Sequence, residues 1–152
     1  MKARVYTDTS VLGGWDDDEF REASRHLLEA FERGDLTLVL SELTVRELEA
    51  APAGVRAVLA GVPAVHIEPL PLSPEAEELA AAYIADGAVG PHMRADALHI
   101  ALATIARVDV LVSWNFKHIV NLKRIHAYNA VNLRHGYPLV EIRTPREVPG
   151  DD

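Results

Sequence analysis

Four side chains with oxygen donors lie at positions in the sequence where they could act on one ligand together. Asp8 follows the apolar stretch ARVYT, Glu47 lies within ELTVRELEA, Asp96 within MRADALHIALATIA, and Asn115 directly after VDVLVSW. Asp96 is the most informative, because its neighbours are apolar on nearly every face of a helix, as in a helix buried inside a larger fold. An isolated buried carboxylate is very costly unless something compensates its charge. The sequence therefore predicts a partner for Asp96.

The order of elements predicts how these side chains are positioned. Apolar runs typical of strands are found at 3–8, 36–41, 64–70, 108–114 and 138–142. Segments typical of helices alternate with them at 16–35, 42–50, 52–62, 73–87, 93–106 and 117–135. This alternation predicts a parallel sheet covered on both faces. We therefore expect a single-domain, three-layer α/β/α sandwich with a mostly parallel sheet over residues 1–146, followed by a short acidic tail, 147–152.

The four polar residues are expected to meet at one edge of this sheet. In parallel α/β sheets, ligands bind beyond the carboxyl ends of the strands. Carboxylates gathered there repel each other unless a cation neutralises them, and oxygen donors without cysteine favour Mg²⁺ or Mn²⁺. Such an ion can orient a water, lower its pKa and stabilise charge on a phosphodiester.

Composition bounds the remaining function classes. The chain has 152 residues, of which 49% are hydrophobic and 25% charged, as in soluble globular proteins. It has no cysteine, which excludes disulfides and thiolate metal sites. The first residues lack the apolar core of a signal peptide, and no apolar run has the length of a membrane span. We expect a cytoplasmic protein without a membrane partner.

The charge is unevenly distributed along the chain. A formal net charge of −8 argues against a generic nucleic-acid binder. Residues 115–146, however, hold six basic residues against one acid, Glu141. This segment is either a surface that faces phosphates or an ordinary solvated helix face.

Four motifs together resemble one family. They are DTSVL at 8–12, SELTVRELE at 41–49, RADALHIALA at 94–103 and DVLVSWNFKHIVN at 109–121. In this order they resemble PIN-domain proteins, the nuclease family that includes the VapC-type toxins. The resemblance implies that Asp8, Glu47 and Asp96 are ligands of Mg²⁺ or Mn²⁺. The family commonly has a fourth acid where this chain has Asn115, which offers an oxygen without negative charge and puts a second metal ion in doubt.

The resemblance also implies a function. A PIN-like fold of this kind implies a metal-dependent endoribonuclease that leaves a 5′-phosphate and a 3′-hydroxyl, acting as the toxin of a toxin–antitoxin pair. RNA is then the substrate, a cognate antitoxin protein is a partner, and a homodimer is expected. The catalytic set would be Asp8, Glu47, Asp96 and Asn115. Candidate substrate contacts are Thr9, Ser10, Lys117, His118, Lys123 and Arg124.

Each acid taken alone has an ordinary structural interpretation. Asp8 could cap a turn, and Glu47 could face solvent, with Glu42 as the main rival for its role. Asp96 could be a helix N-terminal acid favoured by the helix dipole, or pair with His99 one turn later.

Two other functions compete with the nuclease. One is a catalytically degenerate PIN-like scaffold or RNA- or partner-binding module, which the neutral Asn115 favours. The other is a phosphoryl-aspartate phosphatase, which requires an acid two residues after the first aspartate. That position is Ser10 in this chain, which counts against the phosphatase.

Overall fold

A five-stranded sheet forms the centre of the protein. The computed structural model describes residues 2–13 and 18–148. The strands of the sheet are β1 (Ala3–Thr7), β2 (Leu36–Ser41), β3 (Ile67–Leu70), β4 (Val110–Val112) and β5 (Ile142–Arg143). Their spatial order is β3-β2-β1-β4-β5, and each of the four pairings is parallel. The predicted parallel sheet is confirmed.

Helices connect the strands on both faces of the sheet. In the described residues they are α1 (Thr9–Gly13), α2 (Arg21–Arg33), α3 (Glu42–Glu49), α4 (Ala53–Ala60), α5 (Pro74–Ala85), α6 (Arg94–Ala106) and α7 (Leu122–Arg134). Short 3₁₀ helices cover Ala64–His66, Pro91–Met93 and Pro145–Glu147. The last of these 3₁₀ helices spans the expected boundary between domain and tail at 146–147. Residues 149–152 lie outside the described part, and the position of the boundary stays a prediction.

The core consists of two hydrophobic clusters, one on each face of the sheet. Successive residues of a strand point to opposite faces, and β1 shows this, because Val5 belongs to one cluster and Tyr6 to the other. Side chains from α1 to α4 cover the Val5 face, and side chains from α5, α6 and α7 cover the Tyr6 face. The expected three-layer α/β/α sandwich is therefore confirmed.

Helix α6 is buried along most of its length. Every residue from 97 to 104 is buried, including Ile100 and Ala103 with no exposed surface. This agrees with the prediction made from its apolar faces. The helix begins just before Asp96 and so carries that carboxylate in its first turn.

Three elements are shorter than the sequence predicted. Strand β4 covers only Val110–Val112, and β5 at the sheet edge covers only Ile142–Arg143. The predicted strand at 64–70 begins with a 3₁₀ turn, and only Ile67–Leu70 pairs with β2. Apolar composition identified these strands, but the extent of pairing depends on their neighbours.

The predicted helices at 16–35 and 117–135 also start later than expected. Helix α2 begins at Arg21, and Asp16 and Asp17 lie outside the described residues. Helix α7 begins only at Leu122, because Asn121 acts as its N-cap and accepts a hydrogen bond from the Arg124 amide at 2.9 Å. Residues 117–121 form turns instead of helix.

Within the described ranges, no helix combines the length and the apolar character required to cross a bilayer.

Candidate active site

The site lies where the chain leaves β1 and β4. Strand β1 has β2 on one side and β4 on the other, so the direction of chain winding reverses between β1 and β4. Thr7 pairs with Val112, which brings the two strand ends together. Ligands in open parallel sheets bind at such a reversal, beyond the carboxyl ends of the strands. Asp8 follows one of these strands and Ser113 the other.

Asp8 is a buried carboxylate held by hydroxyl groups. Its side chain is 4% exposed. Ser10 Oγ donates to Oδ1 at 2.7 Å, and Ser113 Oγ donates to Oδ2 at 2.6 Å. Burial raises the pKa of Asp8, and attraction to His99 together with the two serine hydrogen bonds opposes that rise. A capping role alone does not explain this arrangement, because burial of the carboxylate is unfavourable.

Glu47 comes from α3 and reaches across to residues of two other elements. Its Oε1 accepts a hydrogen bond from Thr9 Oγ1, and the same atom lies 3.0 Å from His99 Nε2. Partial burial raises the pKa of Glu47, but the hydrogen bonds from His99 and Thr9 outweigh it, so its pKa is lowered overall. Glu47 is thus an ionised acid directed into the site.

The rival acid Glu42 faces away from this network. It is exposed and forms an ion pair with Arg46 at 3.1 Å. Its other oxygen accepts a hydrogen bond from the Leu72 amide at 3.1 Å. These contacts join α3 to the segment after β3, which gives Glu42 a structural role.

Asp96 is half-buried in the first turn of α6. Burial raises its pKa, and the negative charge of Glu47 raises it further. Attraction to His118 and His99 and a hydrogen bond from the Asn115 side chain act in the opposite direction. The interaction with Glu47 places these two acids within electrostatic range of each other, although they are 49 positions apart in the sequence.

The side-chain oxygen of Asn115 is used in the turn that follows β4. Its Oδ1 accepts hydrogen bonds from the Lys117 amide at 3.2 Å and the His118 amide at 3.0 Å. That oxygen closes the turn after β4, and the Asn115 side chain is near enough to Asp96 to lower the pKa of that carboxyl. The residue at the family's fourth acidic position therefore supports Asp96 directly.

A buried chain of hydrogen bonds behind Glu47 was not predicted. His99 Nδ1 lies 2.6 Å from the Tyr6 hydroxyl, which lies 2.9 Å from Ser41 Oγ. Ser41 Oγ in turn accepts from the Thr44 amide at 3.0 Å. His99 is three residues after Asp96 on α6, and the sequence interpretation considered it only as a partner for that acid. The spacing placed His99 near the site, but its contact with Glu47 depends on how α3 packs against α6.

The candidate substrate residues fall into two groups. Thr9 and Ser10 are half-buried and already hydrogen-bonded to Glu47 and Asp8. Arg124 is also engaged, because its guanidinium donates to the Ala88 carbonyl at 2.8 Å. These three residues support the site and its surroundings.

The other candidates face outward from the turn after β4 and from α7. Lys117 and Lys123 are exposed, and neither makes an ion pair within residues 2–13 and 18–148. His118 is half-buried, and its Nδ1 is buried without a hydrogen-bond partner among the described residues. The two lysine ammonium groups are therefore free to bind a ligand from solvent, whereas the unpartnered nitrogen of His118 is buried.

Asp8, Glu47 and Asp96 have the oxygen ligands that a hard divalent cation prefers. Asp8 and Asp96 have no lysine or arginine ion pair within the described ranges, and Glu47 has only His99. Carboxylate oxygens without a basic partner are the donors that Mg²⁺ and Mn²⁺ prefer. The described residues, however, contain no group of three histidine, aspartate or glutamate side chains already converged on one point. The carboxylate ligands are therefore present, but among the described residues their oxygens do not surround one point.

Comparison with solved structures identifies the fold. The chain has the PIN-domain fold of VapC toxins. It is similar to Mycobacterium tuberculosis VapC20, a sarcin–ricin loop cleaving toxin, with a TM-score of 0.58 and 13% identity over 90% of this chain and 98% of that one. It is also similar to VapBC2 from Rickettsia felis, solved bound to a DNA fragment of its promoter, with a TM-score of 0.54 and 12% identity over 93% of this chain and 98% of that one. The chain matches no protein-family model and no curated protein. At this identity the likeness concerns the fold, and function has to be argued from the site.

Proposed function

We propose that the protein is a Mg²⁺- or Mn²⁺-dependent endoribonuclease and the toxin of a toxin–antitoxin pair. The observation that carries this proposal is the set of acids that follow β1 or lie on α3 and α6, with Asp8 buried and without a lysine or arginine ion pair among the described residues. Burial of each acid raises the energy of its charged form, so such a set of acids is unfavourable unless something compensates their charge. A bound cation would offset that unfavourable burial. The likeness to VapC20 and VapBC2 supports the assignment to toxins.

In this proposal, Asp8, Glu47 and Asp96 hold the ion. When bound, a divalent ion supplies a Lewis acid that stabilises the charge developing on a phosphodiester. The residues of the chain orient these ligands: Ser10 and Ser113 fix the carboxylate of Asp8 by hydrogen bonds of 2.7 and 2.6 Å. Because the three acids do not already converge, we expect Glu47 and Asp96 to shift their side chains when the ion binds.

The other residues at the sheet edge have supporting roles. Asn115 orients Asp96 through its amide group while its oxygen holds the following turn. Lys117 and Lys123 are exposed donors for the phosphates of an RNA strand, and the unused Nδ1 of His118 lies beside them in sequence. The antitoxin and a second copy of the chain are further proposed partners, supported by the likeness to VapBC2.

Substitution of the acids tests the proposal. Asp96→Asn and Glu47→Gln should each reduce Mn²⁺-dependent cleavage of single-stranded and loop RNA by more than about 100-fold, as expected when a group that stabilises charge in the transition state is lost. Glu42→Gln is the matched control, because Glu42 lies on the same helix but pairs with Arg46. It should retain full cleavage. Undiminished cleavage by Asp96→Asn with an intact fold would refute the site.

A scaffold without catalysis is the second candidate function. It is favoured by two observations: the Asn115 oxygen is used by the turn, and no three ligands are preassembled in the described residues. Calorimetry with Mn²⁺ separates the two candidates. Stoichiometric binding that is lost in Asp96→Asn supports the nuclease, whereas no binding to the wild-type protein supports the scaffold.

A further inference from the structure

The hydrogen-bonded chain behind Glu47 contains two residues that no substrate can reach. His99 is 3% exposed, and Tyr6 has no exposed surface. Both lie in the hydrophobic interior, with His99 on α6 and Tyr6 on the central strand β1. Polar groups in such surroundings are retained only when their hydrogen bonds are satisfied. Because a substrate cannot reach them, His99 and Tyr6 can affect the site only through a residue that they contact.

The residue they act on is Glu47. Its Oε1 lies 3.0 Å from His99 Nε2, and a carboxylate can only accept hydrogen bonds. The hydrogen of this bond therefore resides on Nε2. The other ring nitrogen, Nδ1, is also buried and needs a hydrogen-bond partner of its own.

Tyr6 is that partner. Its hydroxyl lies 2.6 Å from His99 Nδ1, and the ring centroids of the two residues are 5.7 Å apart at an interplanar angle of 74°. The Tyr6 hydroxyl donates a hydrogen bond to Ser41 Oγ at 2.9 Å, which fixes the tyrosine oxygen from its other side. Because Tyr6 is fixed in the sheet, its contact with Nδ1 fixes the orientation of the His99 ring and directs Nε2 towards Glu47.

We infer that His99 and Tyr6 are positioning residues that hold Glu47 in the orientation needed by the metal site. This inference rests on the proposed function. Residues that orient ligands through hydrogen bonds typically alter metal affinity by about 10- to 100-fold when they are replaced. The chain from β1 through α6 to α3 thus connects the core of the fold to one of the three acids.

The protein offers a matched control for the tyrosine. Tyr83 also has no exposed surface, and its hydroxyl donates to Asn132 Oδ1 at 2.5 Å in the same hydrophobic cluster. Tyr83→Phe and Tyr6→Phe each remove one buried hydroxyl that forms a hydrogen bond, so they should lower the melting temperature similarly. Only Tyr6→Phe should weaken Mn²⁺ binding, by about tenfold in calorimetry.

Variants of the histidine separate hydrogen bonding from packing. His99→Leu should weaken Mn²⁺ binding by about 10- to 100-fold. His99→Gln keeps an N–H group near the position of Nε2 and should recover most of that affinity. A role in packing alone predicts the reverse order, since leucine suits the apolar surroundings better. In the metal-free wild-type protein, the ¹⁵N signal of His99 Nε2 should be that of a protonated nitrogen.

The outcomes distinguish this inference from the proposed function. Mn²⁺ binding by the wild-type protein with unchanged affinity in Tyr6→Phe and His99→Leu overturns only the positioning role. An unprotonated Nε2 in the wild-type protein also overturns it. Absence of Mn²⁺ binding by the wild-type protein overturns the proposed function and, with it, the role of Glu47 as a metal ligand. If His99→Leu does not fold, the comparison of Tyr6→Phe with Tyr83→Phe decides.

Discussion

At the scale of single residues, the site depends on which atom of each side chain faces which partner. The sequence identified Asp8, Glu47 and Asp96 because acids at strand ends and in a buried helix need compensation. It could not show that the Asn115 oxygen is used by backbone amides. Whether the Asn115 oxygen faces those amides depends on the conformation of the turn after β4, and the Asn115 side chain itself stabilises that conformation. Residue types were predictable here, but the direction of their hydrogen bonds was not.

Replacement of Asn115 by aspartate isolates its amide group. Asn115→Asp keeps the oxygen that accepts from the Lys117 and His118 amides, but it exchanges the donor facing Asp96 for a second negative charge. In EDTA we expect the free energy of unfolding to fall by about 1–3 kcal/mol, because a favourable neighbour of the Asp96 carboxylate is replaced by a second negative charge.

Mn²⁺ should reverse this loss, because an added carboxylate is an additional oxygen ligand. Urea unfolding with EDTA and with saturating Mn²⁺ measures both effects. Asn115→Ala serves as the control, since it loses the turn acceptor and gains no ligand. Equal stability of Asn115→Asp and the wild-type protein in EDTA would contradict the assigned contact.

At the scale of elements, the sequence predicted the helix ends that are determined by capping residues close by in the chain. Helix α5 has Ser73 as N-cap, accepting from the Ala76 amide at 3.2 Å, and α2 ends at Gly34 with a φ of 82°. Both features follow from capping preferences and from the conformational freedom of glycine. The sequence interpretation began α7 at residue 117, whereas the side chains of Asn115 and Asn121 accept hydrogen bonds from backbone amides and hold residues 117–121 in turns.

Two glycines at helix ends allow backbone strain to be separated from steric contact. Gly34 and Gly136 both have a φ of 82°, a conformation that alanine adopts at a cost of about 1–2 kcal/mol. A Cβ atom at Gly136 would meet nothing within 4 Å, whereas at Gly34 it would lie 2.6 Å from His66 Nε2. The His66 ring cannot move freely, because its Nδ1 lies 2.9 Å from the Phe31 carbonyl.

We therefore expect Gly34→Ala to lower the free energy of unfolding by more than Gly136→Ala, with an excess of about 1 kcal/mol for the lost hydrogen bond of His66. Urea denaturation of both variants measures the difference. Equal losses would mean that His66 moves without consequence and that only strain matters at Gly34.

At the scale of the whole molecule, the distribution of charge limits how RNA can bind. The formal net charge is −8, so phosphates must be attracted locally. The sequence suggested a basic surface over residues 115–146, but two of its later members are paired: Arg134 binds Asp86 at 2.6 Å and Arg143 binds Glu141 at 3.2 Å. Sequence composition counts charges without their partners, which the fold alone determines. Among the described residues of this segment, the exposed lysines without an ion pair are Lys117 in the turn after β4 and Lys123 at the start of α7.

Lys117 tests this restricted basic surface. Because its ammonium group is exposed and has no ion pair in the described residues, Lys117→Gln should weaken binding of a non-cleavable 2′-O-methyl RNA strand in the presence of Mg²⁺. Removal of one phosphate contact should also reduce the slope of log affinity against log salt by about 0.7, the value for a single strand. Fluorescence anisotropy at several salt concentrations measures both quantities. Arg134→Gln is the control, because Asp86 already neutralises that arginine. An equal loss of affinity in the two variants would mean that the overall charge of the protein, and not a local surface, governs RNA binding.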